Sequence, residues 1–343
     1  MAINRIEIKD FLVFKGEFDV DFVFGVNVLI GGNGTGKTTL LKAMYGLVNE
    51  KLSSCFYTIN AKDDVAYGDR RGSIRLLYGA ESSVIHFQQG VYSENMGAVV
   101  HPLNGKVHRL EGGFSSYGIT GKPFDNPTVY IPEKDMLSHS IGMLALKHER
   151  PTVPFDDTLT DIIAKAQLYP KKEKLNDPLC AKIREIIGGE VAYDNDTFII
   201  IKDKNNGQSQ VAFSMEASGY KKLGLLWKLI RNGLLESGAI LFWDEPENSL
   251  NPELVPVLVG ILLELSRNGV QIFIATHSEL LASYFAVSRQ KGDAVMFYSL
   301  YKDGEQIKYD RDDRFDLLEP NTLTEEPVRL YEKQIVRGLG GNE

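Results

Sequence analysis

Residues Gly31 to Thr39 read GGNGTGKTT, and no other stretch narrows the possible folds as far. Gly31, Gly36, Lys37 and Thr38 fill the spacing G-x-x-x-x-G-K-[ST] of a phosphate-binding loop. The chemistry explains the spacing. Glycines let the backbone curl so that successive N–H groups point inward at a polyphosphate. A following helix adds its positive N-terminal end. Lys37 supplies a mobile cation for the outer phosphates, and Thr38 a hydroxyl for Mg²⁺. The flanks agree with this reading. Val26, Val28, Leu29 and Ile30 form an apolar run before the loop, and Leu40, Leu41, Met44, Leu47 and Val48 recur at helical spacing after it. Strand, glycine loop, helix is the order a nucleotide site needs. The alternative is a glycine turn that binds nothing.

At 343 residues the chain is long enough for two domains or one large one. Its 43% hydrophobic content excludes a disordered chain. A net charge of −8 argues against a surface coated in positive charge for nucleic acid, while leaving room for a local basic groove. Cys55 and Cys180 match no metal or redox spacing and read as reduced thiols. The N-terminus MAINRIEIKD lacks an apolar signal region, and no apolar run reaches membrane-span length. The expectation is a soluble, cytoplasmic protein.

Residues 3 to 30 alternate as strands. Phe14 is either an adenine-stacking ring or a core phenylalanine. Residues 50 to 71 read as a polar connector. Ser73–Tyr78, Ser83–Gln88 and the weaker Lys106–Leu110 suggest an antiparallel meander, Glu111–Asn126 a mobile glycine-rich loop, and Thr128–Ile131 a strand. Residues 133 to 190 carry helical patterns between prolines, notably Leu159, Ile162, Ile163 and Ala166, then Ile183, Ile186 and Ile187. Lys171, Lys172 and Lys174 form a solvated face or a partner contact. Asn205-Asn206-Gly207 predicts a hairpin turn. Further on, Ala239–Trp243 and Val270–Ala275 read as buried strands, each followed by a helix. Pro256 either bends the Pro252–Leu265 helix or marks a later start. Val295–Tyr301 and Gln306–Tyr309 read as closing edge strands, and Glu325–Arg337 as a helix in an acidic tail. Strands and helices alternating in this way predict a mainly parallel sheet flanked by helices.

Two further motifs join the loop. Ile240–Pro246 reads ILFWDEP, an acidic pair directly after an apolar strand, at the sheet edge where ligands bind in open α/β folds. Asp244 would hold Mg²⁺ with Thr38, and Glu245 would polarise the attacking water. Thr276-His277-Ser278 also follows a strand. His277 could sense a γ-phosphate, while Ser278 could be a plain helix cap.

In this order GGNGTGKTT, WDEPENSLNP and ATHS resemble the ABC-type ATPases, and more closely the SMC/RecF/OLD-like branch often labelled AAA-family ATPases. The resemblance covers most of the chain. It implies an ABC-type P-loop α/β fold with an antiparallel β subdomain and a helical subdomain. The implied organisation is a nucleotide-binding lobe over 1–132, an inserted helical subdomain over 133–195, the rest of the nucleotide core over 196–310, and a tail over 311–343. It implies ATP held by Gly31, Gly32, Asn33, Gly34, Thr35, Gly36, Lys37, Thr38 and Thr39. Lys37, Glu245 and His277 become the catalytic set, and Thr38, Asp244 and Glu133 the Mg²⁺ set. Glu133 stands where the family's Q-loop usually has Gln. Ser218 and Gly219 match the signature loop that binds the γ-phosphate held by a second subunit, whereas Tyr220 and Lys221 depart from it. A structural helix start is the other reading of Ser218. Asn248-Ser249-Leu250-Asn251 resembles the D-loop, with Asn251 where Asp is frequent.

The resemblance implies a homodimer with two ATP molecules sandwiched between subunits. What the cycle drives stays open among three readings. The favoured one is a soluble ATPase that gates a separate effector in a DNA-related or phage-defence (antiviral) system, with nucleic acid a possible partner. The others are the ATP-binding subunit of a membrane transporter and a slow nucleotide-gated scaffold. A GTPase is disfavoured, since no Asn-Lys-x-Asp motif occurs.

Overall fold

The computed structural model describes residues 2–49, 70–78, 81–89, 99–100, 107–108, 114–121, 124–149, 157–172, 177–204 and 207–338. The strands are β1 (Ile3–Phe11), β2 (Phe14–Asp21), β3 (Val26–Gly31), β4 (Arg70–Tyr78), β5 (Glu81–Gln89), β6 (Val99–Val100), β7 (Val107–His108), β8 (Phe114–Gly121), β9 (Thr128–Ile131), β10 (Gly189–Asp194), β11 (Thr197–Lys204), β12 (Gly207–Ala212), β13 (Ile240–Asp244), β14 (Gln271–Ala275), β15 (Val295–Asp303) and β16 (Gln306–Asp312). The α-helices are α1 (Lys37–Val48), α2 (Met143–Glu149), α3 (Asp157–Gln167), α4 (Pro178–Ile187), α5 (Ser218–Arg231), α6 (Val255–Arg267), α7 (Glu279–Ser288) and α8 (Thr322–Gly338).

A six-stranded sheet in the order β16-β15-β3-β14-β13-β9 is the frame of the molecule. All its pairings are parallel except that of β16 with β15. Every residue of β3, β9, β13 and β14 is buried, as expected for strands covered on both faces. Alternation splits β3 between two cores: Val26, Val28 and Ile30 face the cluster containing α3 to α7, while Leu29 faces the one containing α1. That second cluster also takes Ile6, Ile8, Ile74 and Leu76 from a five-stranded antiparallel sheet, β2-β1-β4-β5-β8. Phe242 and Phe273 stack there with ring centroids 5.2 Å apart, and each buried phenylalanine stabilises the fold by about 1.5–3 kcal/mol. A third sheet, β10-β11-β12, is antiparallel and small.

The fold agrees with the expected P-loop α/β class, with several local corrections. Phe14 is fully buried, 4.6 Å from the Phe18 ring centroid, so it is a core residue and no platform for adenine. Residues 114–121, expected in a mobile loop, form β8 and pair with β5, because a free strand edge satisfied them. β15 lies inside the main sheet beside β3, so only β16 closes that edge. Pro256 marks a later helix start: a 3₁₀ turn covers Pro252–Leu254 and α6 begins at Val255. The β11–β12 hairpin forms as expected, although Asn205 and Asn206 lie outside the described residues. So do most of the 50–71 connector, Cys55 and Lys174. Cys180 is buried on α4, its sulfur 3.9 Å from the Trp227 carbonyl. Among the described residues no helix is long and apolar enough to cross a membrane.

Candidate nucleotide site

β3 delivers the glycine loop at its C-terminal end, and α1 opens from Gly36. Two glycines here are steric necessities. Gly36 has φ +92°, and a Cβ on it would stand 2.8 Å from the Phe14 ring and 2.9 Å from Val13. Gly31 has φ +139°, and a Cβ there would meet the Leu300 carbonyl oxygen at 2.1 Å. Buried Phe14 therefore forms the wall on which the loop rests. Within the loop the Thr35 hydroxyl donates to the Gly32 carbonyl at 2.9 Å, while Asn33 and Gly34 face solvent.

Lys37 is 6% exposed, and its Nζ donates to the carbonyls of Gly31 (2.8 Å) and Gly32 (3.1 Å). Burial pushes the Lys37 ammonium down to about 8, against the pull of Glu245, Asp244 and Glu247. An ammonium held this way is poised for an anion that would complete its solvation.

β13 places Asp244 beside the loop. The Thr38 hydroxyl donates to Asp244 Oδ1 at 3.1 Å, and the Tyr130 phenol, from neighbouring β9, donates to Oδ2 at 3.2 Å. Burial raises the Asp244 carboxyl above its ordinary range, and these two hydrogen bonds work against that rise. One hydroxyl and one carboxylate with free lone pairs are hard oxygen donors of the kind Mg²⁺ takes alongside phosphate oxygens. Among the described residues no cluster of three or more His, Cys, Asp or Glu could hold a metal alone. The donor set thus fits a cation shared with a nucleotide.

Glu245 occupies the left-handed region at φ +48°, and its N–H donates to the Ala275 carbonyl at 2.9 Å. Backbone strain of this kind clusters at functional sites. Burial raises the Glu245 carboxyl, and Glu133, Asp244 and Glu247 raise it further. His277 Nε2 lies 3.6 Å from Glu245 Oε1. Burial, then the Lys37 charge, lowers the imidazole, so it is neutral at physiological pH. Ser278 is also a helix cap: its hydroxyl accepts from the Leu281 N–H at 3.1 Å.

Lys37, Thr38, Asp244, Glu245 and His277 thus converge. Glu133 is turned towards the D-loop segment, where its Oε1 accepts from Asn248 Nδ2 at 2.7 Å. Ser218 is exposed and is the first residue of α5, whose N-cap position is Ala217. No hydrogen bond among the described residues joins Ser218 or Gly219 to the glycine loop. Instead Ser218 lines a cleft with Glu133, Asn248 and Ser249. Gly219 is buried, and a Cβ on it would stand 2.5 Å from Leu254 Cδ1 and 3.2 Å from Leu250 Cδ1.

Three participants escaped the sequence reading. Tyr130 sits in an ordinary apolar strand. Lys222 donates to the carbonyls of Glu245 (3.2 Å) and Pro246 (2.8 Å), tying α5 to the acidic loop. Its place one helical turn after Ser218 was the only available hint. Glu247 accepts from the Thr276 hydroxyl at 2.7 Å and from the His277 N–H at 2.9 Å. It was visible as a third acid in DEPE, but its target lies on another strand.

Comparison with known proteins bears on the family and the fold. Residues 104–283, more than half of the chain, match the family model described as "AAA domain, putative AbiEii toxin, Type IV TA system". Residues 1–94 match the model described as "AAA ATPase domain". A 45-residue segment is 49% identical to the DNA replication and repair protein RecF of Oenococcus oeni; it covers 13% of this chain and 12% of that protein. The crystal structure of an SMC head bound to the C-winged helix domain of ScpA superposes with a TM-score of 0.51 at 13% identity, covering 91% of this chain and 98% of that one. That likeness concerns the fold alone. With its phosphate loop, acidic strand end and histidine strand end on one sheet, the chain belongs to this AAA family and shares the fold of an SMC head.

Proposed function

We propose that the protein binds ATP with Mg²⁺, dimerises on it head-to-tail, hydrolyses it, and by doing so gates a separate effector. The observation that carries this reading is the convergence of Thr38 on Asp244 at 3.1 Å, with Glu245 and His277 beside the same loop. The backbone N–H groups of Gly32 to Thr38 and the Lys37 ammonium would bind the phosphates. Mg²⁺, held by Thr38 and Asp244, would supply charge neutralisation at the outer phosphates. Glu133 is a further candidate for that shell through water. Glu245, with its raised carboxyl, orients and deprotonates the attacking water. Neutral His277 offers a hydrogen bond to the γ-phosphate.

The signature pair supports the dimer. Ser218 is exposed and, among the described residues, makes no hydrogen bond to the glycine loop of its own chain, as a residue serving a second subunit's nucleotide would be. Such an arrangement is an isologous two-fold pair. The matched AbiEii description supports a defence context, and the RecF segment a DNA-related one. An SMC head bound to a ScpA domain is a precedent for a separate protein docking on this fold.

The test combines turnover with assembly. Purified protein should hydrolyse ATP in the presence of Mg²⁺. Stimulation by DNA that fades with rising salt supports the nucleic-acid setting. Glu245→Gln should lower kcat by about 10²–10³-fold yet sediment as an ATP-dependent dimer. A Glu245→Gln monomer at high concentration in Mg-ATP would overturn the sandwich.

A further inference from the structure

We propose that Glu247 is a positioning residue that sets His277 against Glu245. The proposal rests on the hydrolytic reading of the site. Glu247 lies in the turn after β13, yet its side chain reaches back to the end of β14. There one oxygen, Oε1, takes both available donors: the Thr276 hydroxyl at 2.7 Å and the His277 N–H at 2.9 Å. Thr276 is fully buried, and its own N–H donates to the Leu29 carbonyl of β3 at 3.0 Å. Its hydroxyl also accepts from the Ser278 N–H at 2.9 Å. Glu247 therefore closes a chain of hydrogen bonds from the acidic turn, through Thr276, to the strand that carries the phosphate loop.

The geometric consequence falls on His277. Its side chain is about one-third exposed. What determines where the imidazole starts is the backbone between Thr276 and Ser278, and Glu247 grips that backbone. On the acidic side the Glu245 N–H donates to the Ala275 carbonyl, so the two strand ends are already in register. Glu247, two residues after Glu245, adds the second tie, to the Thr276 and His277 that follow Ala275. The adjoining Asn248 bonds Glu133, so the same turn also contacts the opposite wall of the cleft. A shorter side chain at 247 would not span to Thr276. The other oxygen, Oε2, is buried and accepts no hydrogen bond among the described residues. Replacing it with an amide nitrogen breaks no existing hydrogen bond, so Glu247→Gln keeps the tie at Oε1 while removing the charge that acts on Glu245, Lys37 and Lys222.

Two variants decide the matter. In Glu247→Ala, kcat should fall by about 100-fold, the cost of misplacing a catalytic group by about 1 Å. Nucleotide affinity should stay within about threefold of wild type, since no phosphate contact is touched. The His277 amide should lose its protection from hydrogen exchange, while the Leu281 amide, held by Ser278, keeps it. Glu247→Gln should retain the His277 protection and most of kcat. The proposal is overturned if the His277 amide stays protected in Glu247→Ala, or if Glu247→Gln is as damaged as Glu247→Ala in both readouts. Amide protection needs no turnover, so it separates failure of this proposal from failure of the hydrolytic reading, which would appear as absent ATPase activity in the wild type.

Discussion

The Thr38 hydroxyl donates to Asp244 Oδ1 at 3.1 Å across 206 residues of sequence. This single bond joins the helix after the phosphate loop to the acidic strand end, and it marks where a cation would sit between protein and nucleotide. Asp244→Asn keeps an oxygen for the Thr38 bond but removes the charge. It should reduce Mg²⁺-dependent ATP affinity by about tenfold or more, and leave affinity in chelator unchanged. Titration of a fluorescent ATP analogue with and without Mg²⁺ reads both values. Equal losses in the two conditions would remove Asp244 from the metal set.

Lys37→Ala should abolish measurable ATP binding. The ammonium is buried against its own loop carbonyls, and no other described side chain of the loop carries a positive charge. Isothermal titration at pH 7 is sufficient, and wild-type-like binding would refute the loop assignment.

Gly36→Ala should unfold at lower temperature. Its Cβ would press on Phe14 and Val13, at a φ that L-residues avoid. Overpacking and left-handed strain together predict a loss of about 2–4 kcal/mol. A denaturant series on wild type and variant measures it, and a difference below experimental error would mean that the loop can shift away from Phe14.

Lys222 gives stability a pH signature. Burial lowers its ammonium to about 8, against the pull of Glu247, Glu133, Glu245 and Asp135. Between about pH 8 and 10.5 the unfolded chain holds the Lys222 proton more often than the folded one, so folding releases it and this contribution to stability rises with pH. Below about pH 8 the full cost of the buried charge is present. Wild type minus Lys222→Met stability should therefore increase from pH 7 to pH 10. Chemical denaturation at stepped pH checks it, and a flat or falling difference would contradict the burial of the charge.

Much of the site is legible before folding because its parts are local. Gly31–Thr39, Asp244-Glu245 and His277 each follow an apolar strand, and an apolar strand in this pattern ends where ligands bind. Nothing local shows what Tyr130, Lys222 or Glu247 would touch. Tyr130 reaches Asp244 only because β9 happens to pair with β13, a strand more than a hundred residues later. Phe14 illustrates the same limit in reverse. Its aromatic ring beside the loop suggests a base platform, but packing against Gly36 and Phe18 leaves it no exposed face.

The sequence by itself determined the chemistry: glycines where the backbone must curl, a lysine and a threonine at fixed offsets, and carboxylates after an apolar strand. These are properties of covalent spacing and of φ preference, and they survive without knowledge of the partners. Only the tertiary structure decided which groups hold those residues in place. Strand order brings Tyr130 to Asp244, the descent of α5 brings Lys222 to the Glu245 and Pro246 carbonyls, and the return of the acidic turn brings Glu247 to Thr276 and His277. Hydrogen bonds are short-ranged and directional, so they depend on which elements pack together, and sheet order is not written in any one segment.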